Sequence, residues 1–294
     1  NCWIDKQLSF TVHHPVNDQY LLGVDFSSSP NHSKPITVAV GFMPTIADPV
    51  YRLQTIRELE TLEAFECMLT EPLHWIGGFD LPFGQPRELI EYEQWPTQWN
   101  DFVHFFCSQS RERLRNTFRD WCDARPPGNK FAWRKADKPA GSSPAMRWTN
   151  PPVAWMMHAG IGRMLKAGLA FPAHRYPRKR SHIKRIALEA YPGFTARKIT
   201  RHSYKSDSRA KQTRDRKDRR KLILNAVSTG KAGLSIRFEA NRRWRKDIVD
   251  DARGDFLDAV LCSLQAGHAA LQRNFGLPRN LDTLEGWIAS VPVR

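Results

Sequence analysis

The chain has 294 residues, 41% of them hydrophobic and 16 of them Phe, enough to bury a large core and to exclude a disordered protein. Forty-five Lys and Arg against 30 Asp and Glu leave a net charge of +15. The expected partner is therefore a polyanion, nucleic acid above all, with an anionic membrane surface the less specific choice.

Five scattered cysteines (Cys2, Cys67, Cys107, Cys122, Cys262) form no Cys-x-x-Cys pair, which argues against a zinc ribbon or a disulfide scaffold and for a reducing compartment. No run is long or apolar enough to span a bilayer, and the first residues carry no charged-then-apolar leader pattern, so the expected location is the cytoplasm.

Residues 1–18 are mixed and polar, and adjacent His13 and His14 suggest no chemistry. In YLLGVDFSSSP (20–30), Leu21, Leu22 and Val24 predict a short strand buried on both faces. Asp25 ends it, before a Ser-rich turn. Asp is a poor strand former. It is either an Asx-turn residue or a ligand at the carboxyl edge, where open α/β sheets place their sites. PITVAVGF (35–42) and PVYRLQTI (49–56) predict two more strands in an antiparallel meander.

Residues 57–69 carry Leu59, Leu62, Phe65 and Met68 at helical spacing, with Glu60, Glu63 and Glu66 on a solvated face. Trp75 to Phe79 predict a fourth strand, and this one also ends on an acid, Asp80. Two apolar strands that each deliver one Asp at the carboxyl end are harder to attribute to chance than one.

Residues 94–180 alternate Trp and Phe with Arg, Lys and loop signals, and predict a mostly helical insertion. Aromatics beside Arg and Lys can stack nucleobases, but in a helical subdomain core packing is the stronger expectation. SHIKRIALEAYPGF (181–194) returns to a strand pattern that leads into a third acid, Glu189.

Residues 201–221 hold ten Lys or Arg against three Asp, read as a partly disordered arm that turns helical where it enters LILNAV. Against a polyanion, Lys205, Arg209, Lys211, Arg214, Arg216, Lys217, Arg219 and Arg220 form an electrostatic track for phosphates.

Residues 250–272 predict an amphipathic helix with Asp251, Asp255 and Asp258 stacked along one face at spacings of four and three. Acids near a helix start offset the macrodipole, which accounts for Asp250 and Asp251. Asp258 lies amid Leu257, Ala259, Val260 and Leu261, where a carboxylate needs a cation to meet it.

Asp25, Asp80, Glu189, Asp255 and Asp258 thus form a candidate catalytic and metal-binding set. Hard oxygen donors suit Mg²⁺ or Mn²⁺. Two such ions roughly 3.5–4 Å apart serve phosphodiester cleavage. No small-molecule cofactor is expected.

GVDFS, GFDLPFG, LEAYPG and GDFLDAVLCSLQA, in that order, resemble the ribonuclease H-like superfamily. The last motif is similar to the final helix of Holliday-junction resolvases. The four together most resemble a bacterial family of predicted ribonuclease H-like nucleases, a domain of unknown function. The resemblance implies a mixed five-stranded α/β sheet flanked by helices, with four metal ligands: Asp25 as the central one shared by both ions, Asp80 ending the fourth strand, and Asp255 with Asp258 on the last helix. Glu189 matches a motif of the nuclease family but no agreed ligand of the superfamily. Junction-cutting relatives imply a homodimer. Phe26 and three serines follow Asp25 where many relatives have glycine or other small residues.

On this reading the chain divides into a leading segment (1–18), a first core part (19–93), the insertion (94–180), a second core part (181–272) and a tail (273–294). The alternatives are a nucleic-acid-binding module without catalysis and, below it, an ATP-using actin- or sugar-kinase-like enzyme, which the Ser-rich turn after Asp25 disfavours because phosphate cradles use glycine. A serine hydrolase lacks its nucleophile-elbow pattern.

Overall fold

The computed structural model describes residues 19–174 and 183–293. The leading segment with His13 and His14, and the join at 175–182, lie outside the described residues.

Six strands form one mixed sheet, ordered β5-β4-β1-β2-β3-β6. The first three, β1 (Gln19–Asp25), β2 (Ile36–Phe42) and β3 (Val50–Leu59), are the expected antiparallel meander. β4 (His74–Asp80) runs parallel to β1, and β5 (Arg185–Glu189) parallel to β4.

The sixth strand, β6 (Arg237–Glu239), was not expected and lies in what reads as a loop. Three residues are too few to show a period. It pairs in parallel with the start of β3, and Phe238 goes under against Tyr51 with ring centroids 6.1 Å apart.

Both faces of the sheet are covered, which is why the central strands are apolar on both sides. Leu22, Val24, Val38, Trp75, Phe79 and Ala187 face α1 (Leu62–Thr70), α2 (Arg87–Tyr92), α3 (Trp99–Ser108), α4 (Arg111–Asp123) and α6 (Val153–Lys166). Leu21, Ala39, Tyr51, Ile76, Ile186 and Leu188 face α7 (Pro192–Ile199), α8 (Arg214–Ser228), α9 (Arg242–Asp250) and α10 (Asp255–Ala270). α5 is the single turn Asp137–Ala140. No helix of the described residues is long and apolar enough to cross a membrane.

Several boundaries differ from the sequence reading. β3 continues through Leu59, paired with Ile36, because β2 offers partners that far. α1 then starts where Thr61 Oγ1 accepts the Ala64 N–H at 3.1 Å. α8 begins inside the basic run, at Arg214 rather than at Leu222, with Thr213 as N-cap and Arg220, Ile223, Leu224 and Val227 on its buried face.

The helix expected over 250–272 is α10, which starts five residues later than expected. Asp250 closes α9, and Gly254, at φ 79°, turns the chain into α10. Asp251 lies in the break, where its carboxylate accepts from the Arg253 and Phe256 N–H groups at 3.1 and 2.9 Å. It therefore leaves the three-acid stack and caps α10.

α10 has 13 of its 16 residues buried, so it is a helix covered on nearly all sides rather than a surface amphipath. It can lie this close because the sheet is bare beneath it. A Cβ at Gly23 would stand 1.9 Å from the Ala259 carbonyl oxygen, and one at Gly78 would stand 2.3 Å from that of Cys262.

Candidate active site at the carboxyl end of the sheet

Side-chain alternation along the strands decides which acids meet. On β1, Leu21, Gly23 and Asp25 point to the α10 face, and on β4 so do Ile76, Gly78 and Asp80. Parallel register sets Asp25 directly beside Asp80. The close approach of α10 brings Asp258, fully buried, and Asp255, 5% exposed, to the same end.

Asp25 and Asp80 keep an edge open to solvent, yet desolvation dominates their behaviour. Burial holds the Asp25 carboxyl well above its ordinary range, with Lys205 opposing and Asp258, Asp255 and Asp80 adding repulsion. Burial pushes Asp80 up to about 7 and Asp255 up to about 6. Asp258 adds repulsion at Asp25, Asp80 and Asp255 alike, and Glu189, from the other face, adds to it at Asp80.

Glu189 does not join them. It follows Ala187 in the alternation and so points to the opposite face, among the insertion helices. There the Arg134 guanidinium takes both its oxygens at 2.8 and 2.6 Å, and the Phe83 N–H donates to it at 3.0 Å. Asp137 closes the cluster at 2.8 Å from Arg134. Burial raises the Glu189 carboxyl and Arg134 draws it back. Nothing local marks Arg134, one Arg of many in the insertion.

Two cations stand among the four acids. Lys205 donates to Asp258 Oδ2, and the neighbouring Tyr204 hydroxyl donates to Oδ1, so both oxygens of Asp258 are taken. Burial works against the Lys205 charge, but Asp258, Tyr204 and Asp25 outweigh it and raise its pKa further. Arg253 Nε lies 3.1 Å from Asp255 Oδ2, an ion pair without hydrogen-bond geometry, and that oxygen is buried with no hydrogen-bond partner. Thr37 Oγ1, next to Asp25 on β2, is likewise buried and unpartnered.

Among the described residues no group of three or more His, Cys, Asp or Glu side chains is arranged to hold a metal ion. What stands here is a carboxylate cluster met by side-chain cations. Its oxygen donors are of the type a hard divalent ion takes, and the Asp255 oxygen that lacks a hydrogen bond is met at 3.1 Å by Arg253 Nε.

The expected phosphate track divides. Arg209, Lys211 and Arg214 are exposed. Arg216 and Arg219 are half-buried and donate to Ser203, and Lys217 pairs with Asp250. Arg220 is 2% exposed and donates to the Val249 and Tyr204 carbonyls at 2.8 and 2.7 Å, so it braces the fold and reaches no phosphate. Lys205 points into the acids rather than along the track.

In the insertion Trp95, Trp99, Trp121 and Trp155 are core, and Trp133 is exposed. Compared with known protein families, with curated proteins and with solved structures, the chain matches none.

Proposed function

We propose that the chain is a metal-dependent nuclease of ribonuclease H-like fold that hydrolyses phosphodiester bonds of DNA or RNA with Mg²⁺ or Mn²⁺. The observation that carries the reading is the convergence of Asp25, Asp80, Asp255 and Asp258 at one end of the sheet, in a chain of net charge +15. An antiparallel meander followed by two parallel strands, with an Asp-x-x-Asp helix laid across it, supports the same reading of the fold.

Asp25, Asp80 and Asp255 would hold the metal. Bound there, a divalent ion supplies Lewis-acid stabilisation of the cleaved phosphate and lowers the pKa of attacking water. Asp25 is the most central of the acids, since Asp80, Asp255 and Asp258 all act on it. Exposed Arg209, Lys211 and Arg214 would hold the phosphate backbone beside the site. Both oxygens of Asp258 are already satisfied, and this favours a second reading, a nucleic-acid-binding module whose acids do no chemistry.

Cleavage of labelled single-stranded DNA and RNA, duplex, hybrid and four-way junction with Mg²⁺, Mn²⁺ or EDTA separates the two. The nuclease reading expects metal-dependent cutting that Asp25→Asn abolishes while binding is kept. Tight, salt-sensitive binding with no cutting under any metal supports the module.

A further inference from the structure

The insertion helix α4 carries a row of cations that no acid meets. Arg111, Arg115 and Arg119 stand exposed at intervals of four, beside the buried Leu114, Phe118, Trp121 and Cys122. Like charges at this spacing repel along a helix. Glu112, Asp120 and Asp123 lie on the same helix, yet among the described residues none of the three arginines forms an ion pair. In the basic run, by contrast, Lys217 and Lys221 pair with Asp250 and Asp218.

The row starts at the acid end of the sheet. Arg111 Nη2 donates to the carbonyl of Ser28, three residues past Asp25, at 3.4 Å, and its guanidinium lies 5.7 Å from the centre of the Trp155 ring. The same β1–β2 loop carries Lys34, which pairs with Asp207 of the basic run at 2.8 Å. One loop thus joins Asp25, the basic run and the α4 row. No exposed residue of α4 is apolar, so the row suits the phosphates of a strand rather than a lipid surface. From Arg111 to Arg119 the helix rises about 12 Å. A duplex strand carries one phosphate per ~3.4 Å of axis, so the row spans roughly three or four of them.

We propose that Arg111, Arg115 and Arg119 form a second phosphate-binding track, along which a nucleic-acid strand at the acid end of the sheet continues over the Ser27–Ser29 turn and onto the insertion. This rests on nucleic-acid binding, which both readings above share, and needs neither a metal nor cleavage.

The test is the salt dependence of binding by the full chain, in EDTA, to a labelled duplex and a labelled single strand. Replacing all three arginines with Gln, which keeps helix propensity, should lower the log–log slope by up to about 2.7 for duplex and about 2.1 for single strand. The control removes the same charge elsewhere, with Lys231, Arg237 and Arg242 replaced by Gln. These exposed residues flank β6, which pairs with the start of β3, at the end of the sheet away from Asp25. Its slope should match the wild type. Arg115→Gln with Arg119→Gln leaves Arg111 on Ser28 and should lose about two-thirds of the effect. That pair carries the test if the triple variant fails to fold.

An unchanged slope in the folded α4 variants, or an equal loss in the β6 control, overturns the track and leaves nucleic-acid binding standing. A wild type that binds neither duplex nor single strand removes the track and the nucleic-acid reading together.

Discussion

Replacing Arg134 with Met removes the guanidinium from between Glu189 and Asp137 while keeping most of its apolar volume. Arg134 and Glu189 side chains are 2% and 4% exposed, and Asp137 is fully buried. The variant therefore leaves two carboxylates without a cation where water does not reach. Breaking a buried pair in this way costs about 3–5 kcal/mol, a large share of the ~5–15 kcal/mol that holds most folds. Urea unfolding at neutral pH should show that loss, and the melting temperature should fall on the order of 10 °C.

The loss depends on pH, with a definite sign. A buried carboxyl without a cation binds its proton more tightly folded than unfolded, so its cost grows as pH rises above the ordinary carboxyl value of about 4 and fades below it. The gap between variant and wild type should thus be widest near pH 7 and narrow towards pH 4. Glu189→Gln is the control. It keeps Arg134 on Asp137 and should cost only about 1–2 kcal/mol. A loss below about 1 kcal/mol for Arg134→Met, or a gap that does not change with pH, would refute the account of Glu189 as half of a buried ion pair.

Three further outcomes follow from the same geometry. Gly23→Ala places a methyl 1.9 Å from the Ala259 carbonyl oxygen, so α10 must lift; stability should fall by about 1–3 kcal/mol and cleavage by about a hundredfold, and a neutral result would show that α10 does not need this approach. Asp80 and Asp255 are pushed up to about 7 and about 6, so they bind protons more tightly folded than unfolded. Metal-free protein should lose stability as pH rises from about 4 through about 7 while Mn²⁺ affinity climbs over the same interval, and flat calorimetric profiles would count against this. Neutralising Arg209, Lys211 and Arg214 together should flatten the salt dependence of duplex binding by up to about 2.7 in log–log slope, whereas an unchanged slope removes them from the footprint.

The meander, the two acid-tipped strands and the Asp-x-x-Asp helix were legible because central strands covered on both faces read as continuous apolar runs, against which an Asp stands out. That same continuity hid the fate of Glu189. When both faces are apolar, alternation cannot say which one a residue at the strand end will join, and Glu189 took the face opposite Asp80. Lys205 and Arg220 were hidden by their company. In a run of ten cations nothing local marks the one that folds back onto Asp258 or the one that goes under α9. Gly254 could have signalled the break before α10, since a glycine between two helical patterns often marks a turn; the acids around it drew the reading to charge instead. β6 carried no signal at its length.

The outer edge of β5 is not bare. Ala170, just past α6, lies along it beside Ile186, and Ile288 of the tail lies beside Glu189, whose carbonyl accepts from the Ala289 N–H at 2.8 Å. One strand is thus laced by backbone to both the end of the insertion and the end of the chain, while the Arg134 ion pair ties the insertion to it from within. The 94–174 helices are consequently a fixed wall and not a hinged lid. They should exchange their amide protons at the rate of the sheet itself and melt with it in a single transition.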